Sequence, residues 1–494
     1  MWLLSLLLTL SITTYILIKR TVTSVTRTPA WLLWLVVMTP PIAWTVWYMV
    51  MGEEEPISLM WIILPLLICF ITYGWLISIG RILTETRGNH NFSLSPNHEK
   101  NISTLGSPVF IRPITVTEEQ SLRDCFPWGV YYLQNLDYRP QAILCRGKLR
   151  TTPEKAYQSI KTNIERVFGD RFLILFQESL QGQPFFALVA NPWAKSQQKG
   201  PGQPIVRPLF ALGLLLLTLF TTTIVGTEIA GISVEQWQEN LKLLLKGLPY
   251  SLGVILILGT HELGHYLTAI RYKIVTTLPY FIPIPFFLGT FGAFIQIKSP
   301  IPNRKALFDV GVAGPLGGFI ITVPILLWGL SLSEIVPQIE ESNLLNIQAF
   351  DPRISFLFAI LTKIACGSSF IAEKSVHLHP LAIAGYIGLI VTALNLMPVG
   401  QLDGGHIVHG MFGQRIAIII GQFTRLFILV LGIIRQEFLL WAILLFFMPN
   451  SEQTALNDVT ELDNKRDVLG LFSLALLIMI LLPLPRTVAQ WLNL

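Results

Sequence analysis

Long apolar runs constrain this chain more than any other feature of its sequence. The clearest are Leu209 to Val225, Leu248 to Leu258 with the turns that follow, and Leu469 to Pro483. Runs of this kind cross about 30 Å of hydrocarbon, where helices satisfy every backbone polar group internally. Of the 494 residues, 52% are hydrophobic and 13% are charged, whereas about a quarter are charged in soluble domains. We therefore expect an α-helical multi-spanning membrane protein.

Composition divides the chain into three parts. Residues 1–80 are predicted to form an N-terminal membrane anchor of about three spans, at 1–18, 30–51 and 57–80. Residues 81–206 are more polar and are predicted to be a small soluble α/β domain with linkers, inserted into the chain. Residues 207–494 are again apolar, with about six further spans or part-spans. Basic residues at alternate ends of the first spans place the inserted domain on the cytoplasmic or stromal side.

The inserted domain carries local signals for one helix and three strands. Thr152 to Glu154 supply an N-cap, a proline at the first helical position and an acid in the first turn, so a helix is predicted from there to Phe168. Short strands are predicted at Ala142 to Cys145, Phe172 to Phe176 and Phe185 to Ala190. This part has no catalytic constellation, and a partner- or substrate-sensing role is a hypothesis.

One apolar segment breaks the helical pattern. Pro279, Pro283 and Pro285 cannot all belong to one helix. Non-helical backbone at membrane depth survives only where protein buries it or where it lines a wet cavity. The segment 279–297 is therefore predicted to be a re-entrant or β-hairpin element. Its unpaired edge is a candidate site for an unwound substrate that adds as a strand, and a structural loop that closes the cavity is the alternative.

Three polar residues interrupt the apolar run near residue 260, in the motif His261-Glu262-Leu-Gly-His265. The i, i+4 spacing places both imidazoles on one face of a helix, where they can reach a single Zn²⁺. Glu262 lies beside them and can take a proton from a metal-bound water. Ionisable groups inside membrane helices are costly and usually mark function. Three polar residues enclosed in a bundle interior are the alternative interpretation.

A catalytic zinc site needs a third protein ligand and an open position. Asp403 is the only carboxylate between Glu373 and Glu437, and it follows an apolar run in the motif NLMPVGQLDGG. The proline and glycines of this motif are expected to end the helix and let the carboxylate turn toward the metal. A simple turn at the membrane boundary is the alternative, and His406 and His409 are the other candidate ligands.

HELGH in one span and NLMPVGQLDGG in a later one resemble the site-2 proteases, intramembrane zinc metalloproteases with an HExxH motif and a distal N-P-D-G region. The small-residue segment Phe308 to Pro315 and the segment His379 to Tyr386 extend the match. Arg146 to Arg150 resembles the G-N-L-R motif of the plastid EGY-type members and their cyanobacterial relatives, with Lys148 in place of the asparagine. The resemblance covers about residues 110–480.

This resemblance implies an intramembrane zinc metalloprotease that hydrolyses a peptide bond of transmembrane protein substrates, as in regulated intramembrane proteolysis. His261, His265 and Asp403 would then bind Zn²⁺. Glu262 would activate a zinc-bound water as general base and acid, and Asn395 would orient the scissile peptide or its developing oxyanion. The implied surroundings are a lipid bilayer, either a cyanobacterial plasma or thylakoid membrane or a plastid-type membrane.

Other classes of function fit the sequence less well. The net charge of +5 is scattered near the ends of apolar runs, so nucleic-acid binding has little support. The four cysteines lack CxxC spacing, which argues against a thiolate metal site or a disulfide framework. A metal-binding transporter would suit broken helices but assigns no task to Glu262. A scaffold that has lost activity would not need intact His261, Glu262, His265 and Asp403.

Overall fold

The computed structural model describes most of the chain beyond its N-terminal part. The described residues are 28–51, 114–139, 142–179, 182–192, 207–284, 288–337, 350–367, 370–371, 374–434, 438–448 and 455–492, with isolated positions before residue 77. They belong to two compact units, Met1–Gly106 and Ser107–Leu494. The predicted domain limits near residues 80 and 206 stay predictions, because the chain at both places lies outside the described residues.

The first unit contains helix α1, Ala30–Met51. Its stretch Ala30–Trp47 is long and apolar enough to cross a membrane, in agreement with the span predicted at 30–51. The spans predicted at 1–18 and 57–80 lie almost entirely outside the described residues.

The second unit begins with a small α/β domain. Its elements are α2 (Val116–Asp124), β1 (Tyr131–Arg139), β2 (Ala142–Leu149), α3 (Pro153–Phe168), β3 (Phe172–Glu178) and β4 (Pro184–Ala190). The strands pair antiparallel in the order β1-β2-β4-β3. Helix α3 buries Tyr157, Ile160 and Ile164 in the core of this domain.

Helix α3 has the limits that its sequence predicts. Pro153 stands at its start, where the missing N–H costs nothing. Gly169 follows its last residue with a φ of +59°, which a residue with a side chain rarely adopts. The predicted strands correspond to β2, β3 and β4, and β2 extends beyond its predicted end to Leu149.

Strand β1 and helix α2 were not predicted. The sequence of β1, YYLQNLDYR, does not alternate apolar and polar residues, and its register shifts between Leu133 and Asn135. Opposite this irregularity stands Gly147, where a Cβ would lie 2.1 Å from the Tyr132 carbonyl oxygen. The glycine of the Arg146–Arg150 motif therefore lets two strands approach each other closely.

The rest of the second unit is mainly helical. Its helices are α4 (Pro208–Ile229), α5 (Val234–Glu239), α6 (Leu248–Arg271), α7 (Arg304–Ser331), α8 (Phe356–Cys366), α9 (Pro380–Leu396), α10 (Asp403–Phe412), α11 (Gln414–Ile434), α12 (Leu439–Phe447), α13 (Asn464–Leu481) and α14 (Arg486–Leu492). Four segments here are long and apolar enough to cross a membrane, at Pro208–Ile229, Leu241–Arg271, Arg304–Ser331 and Gln414–Ile433. The chain is a multi-pass membrane protein, and α7 packs against α6, α9 and α10.

Two short antiparallel ribbons connect helices of this core. The strands β5 (Tyr280–Pro283) and β6 (Thr290–Phe294) form the hairpin that the proline pattern allowed, and β7 (Glu334–Pro337) pairs with β8 (Lys374–His377). The Tyr250 hydroxyl donates a hydrogen bond to the Leu288 carbonyl at 2.9 Å, and the Thr221 hydroxyl donates to the Gly289 carbonyl at 2.7 Å. Helices α4 and α6 thus satisfy backbone groups at the hairpin turn.

The α/β domain and two helix ends meet at one end of this unit. Tyr272, just beyond α6, donates its hydroxyl to Asp309 in α7. Leu456 donates its N–H to the Ile301 carbonyl, just before α7, at 2.9 Å. Phe176 of β3 in turn donates its N–H to the Leu456 carbonyl at 2.7 Å. These contacts agree with the basic residues, which place the inserted domain and the Arg271 end of α6 on one side of the membrane.

Cysteine labelling in sealed vesicles tests this topology. We expect cysteines introduced at the exposed positions Gln120 and Lys273 to react with an impermeant maleimide from the same face. A cysteine at exposed Glu334, beyond the other end of α7, is the control and should react from the opposite face.

The labelling background is low, because burial raises the pKa of the Cys125 and Cys145 thiols and hides both side chains. Cys69 and Cys366 are replaced in every variant, since both are partly accessible. Labelling of positions 120 and 273 from different faces would overturn the topology.

Candidate metal centre

The two histidines of the HELGH motif lie one turn apart on α6, inside the helical core. His261, Glu262 and His265 are 4%, 8% and 7% exposed. The Nε2 atoms of the two imidazoles are 3.2 Å apart. Since the i, i+4 spacing of a helix aims both rings at one point, this local geometry follows from the sequence.

Asp403 reaches the same point from a different part of the chain. Helix α9 ends at Leu396, the chain turns at Gly400 with a φ of +50°, and α10 begins at Asp403. Oδ2 of Asp403 lies 3.4 Å from His261 Nε2 and 3.2 Å from His265 Nε2. The break between the two helices therefore turns the carboxylate toward both imidazoles.

Glycines make this turn possible by letting backbone segments touch. A Cβ on Gly404 would lie 2.0 Å from the Leu396 carbonyl oxygen, and a Cβ on Gly405 would lie 2.3 Å from the Gly400 carbonyl oxygen. Real Cβ atoms are not found at such distances. The first turn of α10 consequently folds back onto the end of α9, with Asp403 at its start.

The backbone of α7 sets the tautomer of His265. Nδ1 of His265 lies 2.7 Å from the Val310 carbonyl oxygen. A carbonyl can only accept, so Nδ1 carries the proton and donates. In the neutral ring, Nε2 then keeps its lone pair and faces His261 and Asp403 as a potential ligand.

Small residues of α7 make room for the histidines. A Cβ on Gly314 would lie 2.0 Å from His265 Nε2, and a Cβ on Gly318 would lie 3.2 Å from His261 Cβ. The small-residue segment is visible in the sequence, but neither its contact with the histidines nor that of the Val310 carbonyl was predicted. The spacing of Gly311, Gly314 and Gly318 along one helix face could have indicated that another helix packs closely there.

Two further predicted residues border the cluster. Nδ2 of Asn395, near the end of α9, lies 3.3 Å from His261 Nε2. The Glu262 carboxylate lies near the backbone of Ile295, immediately after β6. A carboxylate, an amide and the hairpin therefore surround the ring nitrogens.

The alternative ligands from the sequence do not join this group. Among the described residues, the group of side chains that can hold a metal ion is His261, His265 and Asp403, whose ligand atoms lie within 4.8 Å of one another. His409 Nε2 instead lies 2.8 Å from Asp458 Oδ1. Two imidazole nitrogens and one carboxylate oxygen are donors that zinc accepts, with a fourth position left over.

Gly314→Ala should weaken metal binding without unfolding the helices, because the new methyl group occupies the position of the His265 ring. We expect metal content after purification to fall well below that of the unaltered chain. Gly213→Ala is the matched control, since nothing lies within 4 Å of a Cβ there. Equal metal content in the two variants would contradict the packing described for α6 and α7.

Comparison with known proteins places this geometry in a family. Residues 249–434, from α6 to α11, match the family described as Peptidase family M50. This interval contains the HELGH motif, Asn395 and Asp403.

The chain is also similar to named proteins over most of its length. The "Probable zinc metalloprotease EGY2, chloroplastic" of Arabidopsis thaliana is 30% identical over 366 residues, which are 73% of this chain and 63% of that protein. The "Probable zinc metalloprotease EGY1, chloroplastic" of the same plant is 30% identical over 71% of this chain and 67% of its own length. The corresponding EGY2 protein of Oryza sativa subsp. indica is 29% identical, over 73% and 65%.

This chain thus spans 63% to 67% of the length of these relatives. One family assignment agrees with the helical core, the HExxH pair, the distal aspartate and the identity to the EGY proteins. The chain belongs to peptidase family M50, the site-2 protease family.

Proposed function

We propose that this protein is an intramembrane zinc metalloprotease that hydrolyses a peptide bond of transmembrane protein substrates. The observation that carries the proposal is the buried cluster of His261, His265 and Asp403, with Glu262 beside it on a helix apolar enough to span a membrane. Ionisable groups are expensive in such a place and persist where they have a function. The names of the relatives, which are probable zinc metalloproteases, support the same activity.

His261, His265 and Asp403 are the residues that would hold the zinc ion. When bound, zinc acidifies water and stabilises negative charge on a carbonyl oxygen. The protein's own contribution is to deliver two neutral imidazoles and a carboxylate to one point, and the Val310 carbonyl holds His265 in the required tautomer.

Glu262 is the proposed general base and acid. It takes the proton of the attacking water and delivers it to the leaving amine, a task that needs a carboxylate close to the ligands but not bound to the metal. Asn395 has an amide group 3.3 Å from His261 Nε2, where it can donate a hydrogen bond to the carbonyl oxygen of the scissile peptide.

The hairpin is the proposed binding site for the unwound substrate. Strand β5 packs beside α4, and β6 lies next to α6. The backbone that follows β6 also contacts Glu262. A substrate segment added to the open edge of this ribbon would present its backbone to the general base, and main-chain hydrogen bonds would replace those of its helix.

The membrane is proposed to be of the plastid type. The relatives described above are named chloroplastic, and the apolar helices require a bilayer. These names give no support to the cyanobacterial alternative. Within the chain, we retain residues 1–80 as the membrane anchor, 81–206 as the soluble domain with linkers, and 207–494 as the protease part.

Metal analysis tests the ligand assignment. We expect about one zinc per chain in the purified protein, with two imidazole nitrogens and one carboxylate in the X-ray absorption spectrum. Asp403→Ala should lose the metal because a ligand is gone, whereas the matched variant His406→Ala should keep it. Full zinc occupancy with unchanged coordination in Asp403→Ala would remove Asp403 as the third ligand.

Glu262→Gln tests the mechanism. Glutamine has almost the same shape and is not a proposed ligand, so zinc content and fold should persist. General acid–base catalysis contributes about 10²–10⁴-fold, and cleavage of a single-span reporter protein in liposomes should fall by that factor. Glu228→Gln, at an exposed position in α4, is the matched control and should cleave normally.

The same variant separates the rival functions. A transporter or an inactive scaffold would lose little from Glu262→Gln, and cleavage at the unaltered rate would end the protease proposal.

Crosslinking tests the hairpin as the substrate site. The inactive Glu262→Gln variant should retain the bound reporter protein. A photoreactive residue in place of Phe291 in β6, which is 71% exposed, should then crosslink to it. The same residue in place of Trp328, near the far end of α7, should not.

A further inference from the structure

The helix that begins with Asp403 is held at its other end by two buried side chains. Nε2 of His409 donates to Asp458 Oδ1 at 2.8 Å, and these residues are 0% and 8% exposed. Arg304, at the start of α7, donates to the Gly410 carbonyl at 2.8 and 3.1 Å and to the Met411 carbonyl at 3.1 Å. The last turn of α10 is therefore held by one acidic side chain, that of Asp458, and by one basic side chain, that of Arg304.

This attachment bears directly on the metal centre because α10 is short. His409 stands six residues after Asp403, which is about 9 Å along a helix at 1.5 Å per residue. A helix of under three turns is stiff over its length, so a displacement of α10 as a unit would also displace Asp403. Ligand geometry tolerates about 0.5 Å of such displacement.

Asp458 belongs to an extended segment that is also part of the α/β domain. Its N–H donates to the Phe176 carbonyl at 2.9 Å, and Phe176 donates to the Leu456 carbonyl at 2.7 Å. Leu456 and Val459 pack on the hydrophobic core of that domain. The segment 456–459 thus lies beside β3, with Asn457 in an isolated parallel β-bridge to Phe176.

The other edge of the same segment is bonded to the protease core. Leu456 donates its N–H to the Ile301 carbonyl at 2.9 Å, and Asn457 donates to the Pro302 carbonyl at 3.1 Å. Arg304 donates its own N–H to the Asn457 carbonyl at 3.3 Å. One short segment therefore joins β3 of the soluble domain, the start of α7 and, through Asp458, the end of α10.

We propose that Asp458 is a positioning residue for the metal centre: through His409 it holds α10, and with it Asp403, in register with the α/β domain. The inserted domain then stabilises the ligand geometry of the active site that it adjoins, in addition to any contact with substrate. This inference rests on the proposed function, because Asp403 is taken as a zinc ligand.

Zinc affinity of the full-length protein in detergent, measured by competition with a chromophoric chelator, tests the proposal. Loss of groups that support a metal ligand typically weakens binding about 10–100-fold, and we expect a change in this range for Asp458→Ala. Asp458→Asn should restore most of the affinity, since its amide oxygen can still accept from His409. Asp463→Ala is the matched control and should bind zinc normally, since Asp463 is an exposed carboxylate between α12 and α13 that pairs with Arg466.

Further variants separate positioning from general stability. His409→Ala should weaken zinc binding as Asp458→Ala does, and the double variant should be no worse than either single one. Val459→Ala, which loosens the segment from the domain core, should weaken zinc binding in the same direction. A lower melting temperature with unchanged zinc affinity in Asp458→Ala and Val459→Ala would refute the positioning role while leaving the protease proposal intact. Failure of the unaltered protein to bind zinc would instead overturn both.

Discussion

The structure depends on holding two imidazoles and one carboxylate together inside a set of apolar helices. Burying the charged carboxylate alone would cost several kcal/mol of free energy, because a buried ion without a partner loses its hydration. In the ligand tautomer set by Val310, the lone pairs of His261, His265 and Asp403 face one another at 3.2 to 3.4 Å. Three acceptors at one point repel each other unless a cation lies between them, so this arrangement favours the binding of a metal ion. It also explains why neighbouring elements are arranged around them with so little free space.

Close backbone approach is the means by which that point is formed. Gly314 leaves room for the His265 ring, and Gly404 and Gly405 let α10 begin against the end of α9. In a bilayer, small residues bring helices close because packing, rather than water exclusion, drives their association. These glycines are therefore as much a part of the site as the ligands are. A single methyl group added at one of these positions would act on the site by displacing a ligand side chain.

Local features of this protein could be predicted from its sequence, whereas most contacts between distant segments could not, with Asp403 as the exception. The HELGH geometry, the limits of α3 and the hairpin at the prolines each follow from a few consecutive residues, because helix pitch, caps and proline chemistry are local. Asp403 was predicted because it is a lone carboxylate beside helix-breaking residues. The Val310 carbonyl and the His409–Asp458 pair gave no such signal. The latter two residues are 49 apart, and nothing in either neighbourhood specifies the other.

The way in which the soluble domain meets the core follows from what a metal ligand requires. An apolar interface is non-directional and permits sliding of packed surfaces. A ladder of backbone hydrogen bonds has a fixed register, since a slip of one residue breaks it. Segment 456–459 forms an isolated β-bridge of such bonds on each side, to Phe176 on one side and to residues 301–304 on the other. A directional bond from Asp458 then transfers that register to α10. Joining the two parts through backbone hydrogen bonds, in addition to the apolar packing of Leu456 and Val459, therefore suits a site whose ligand geometry depends on displacements of a fraction of an ångström.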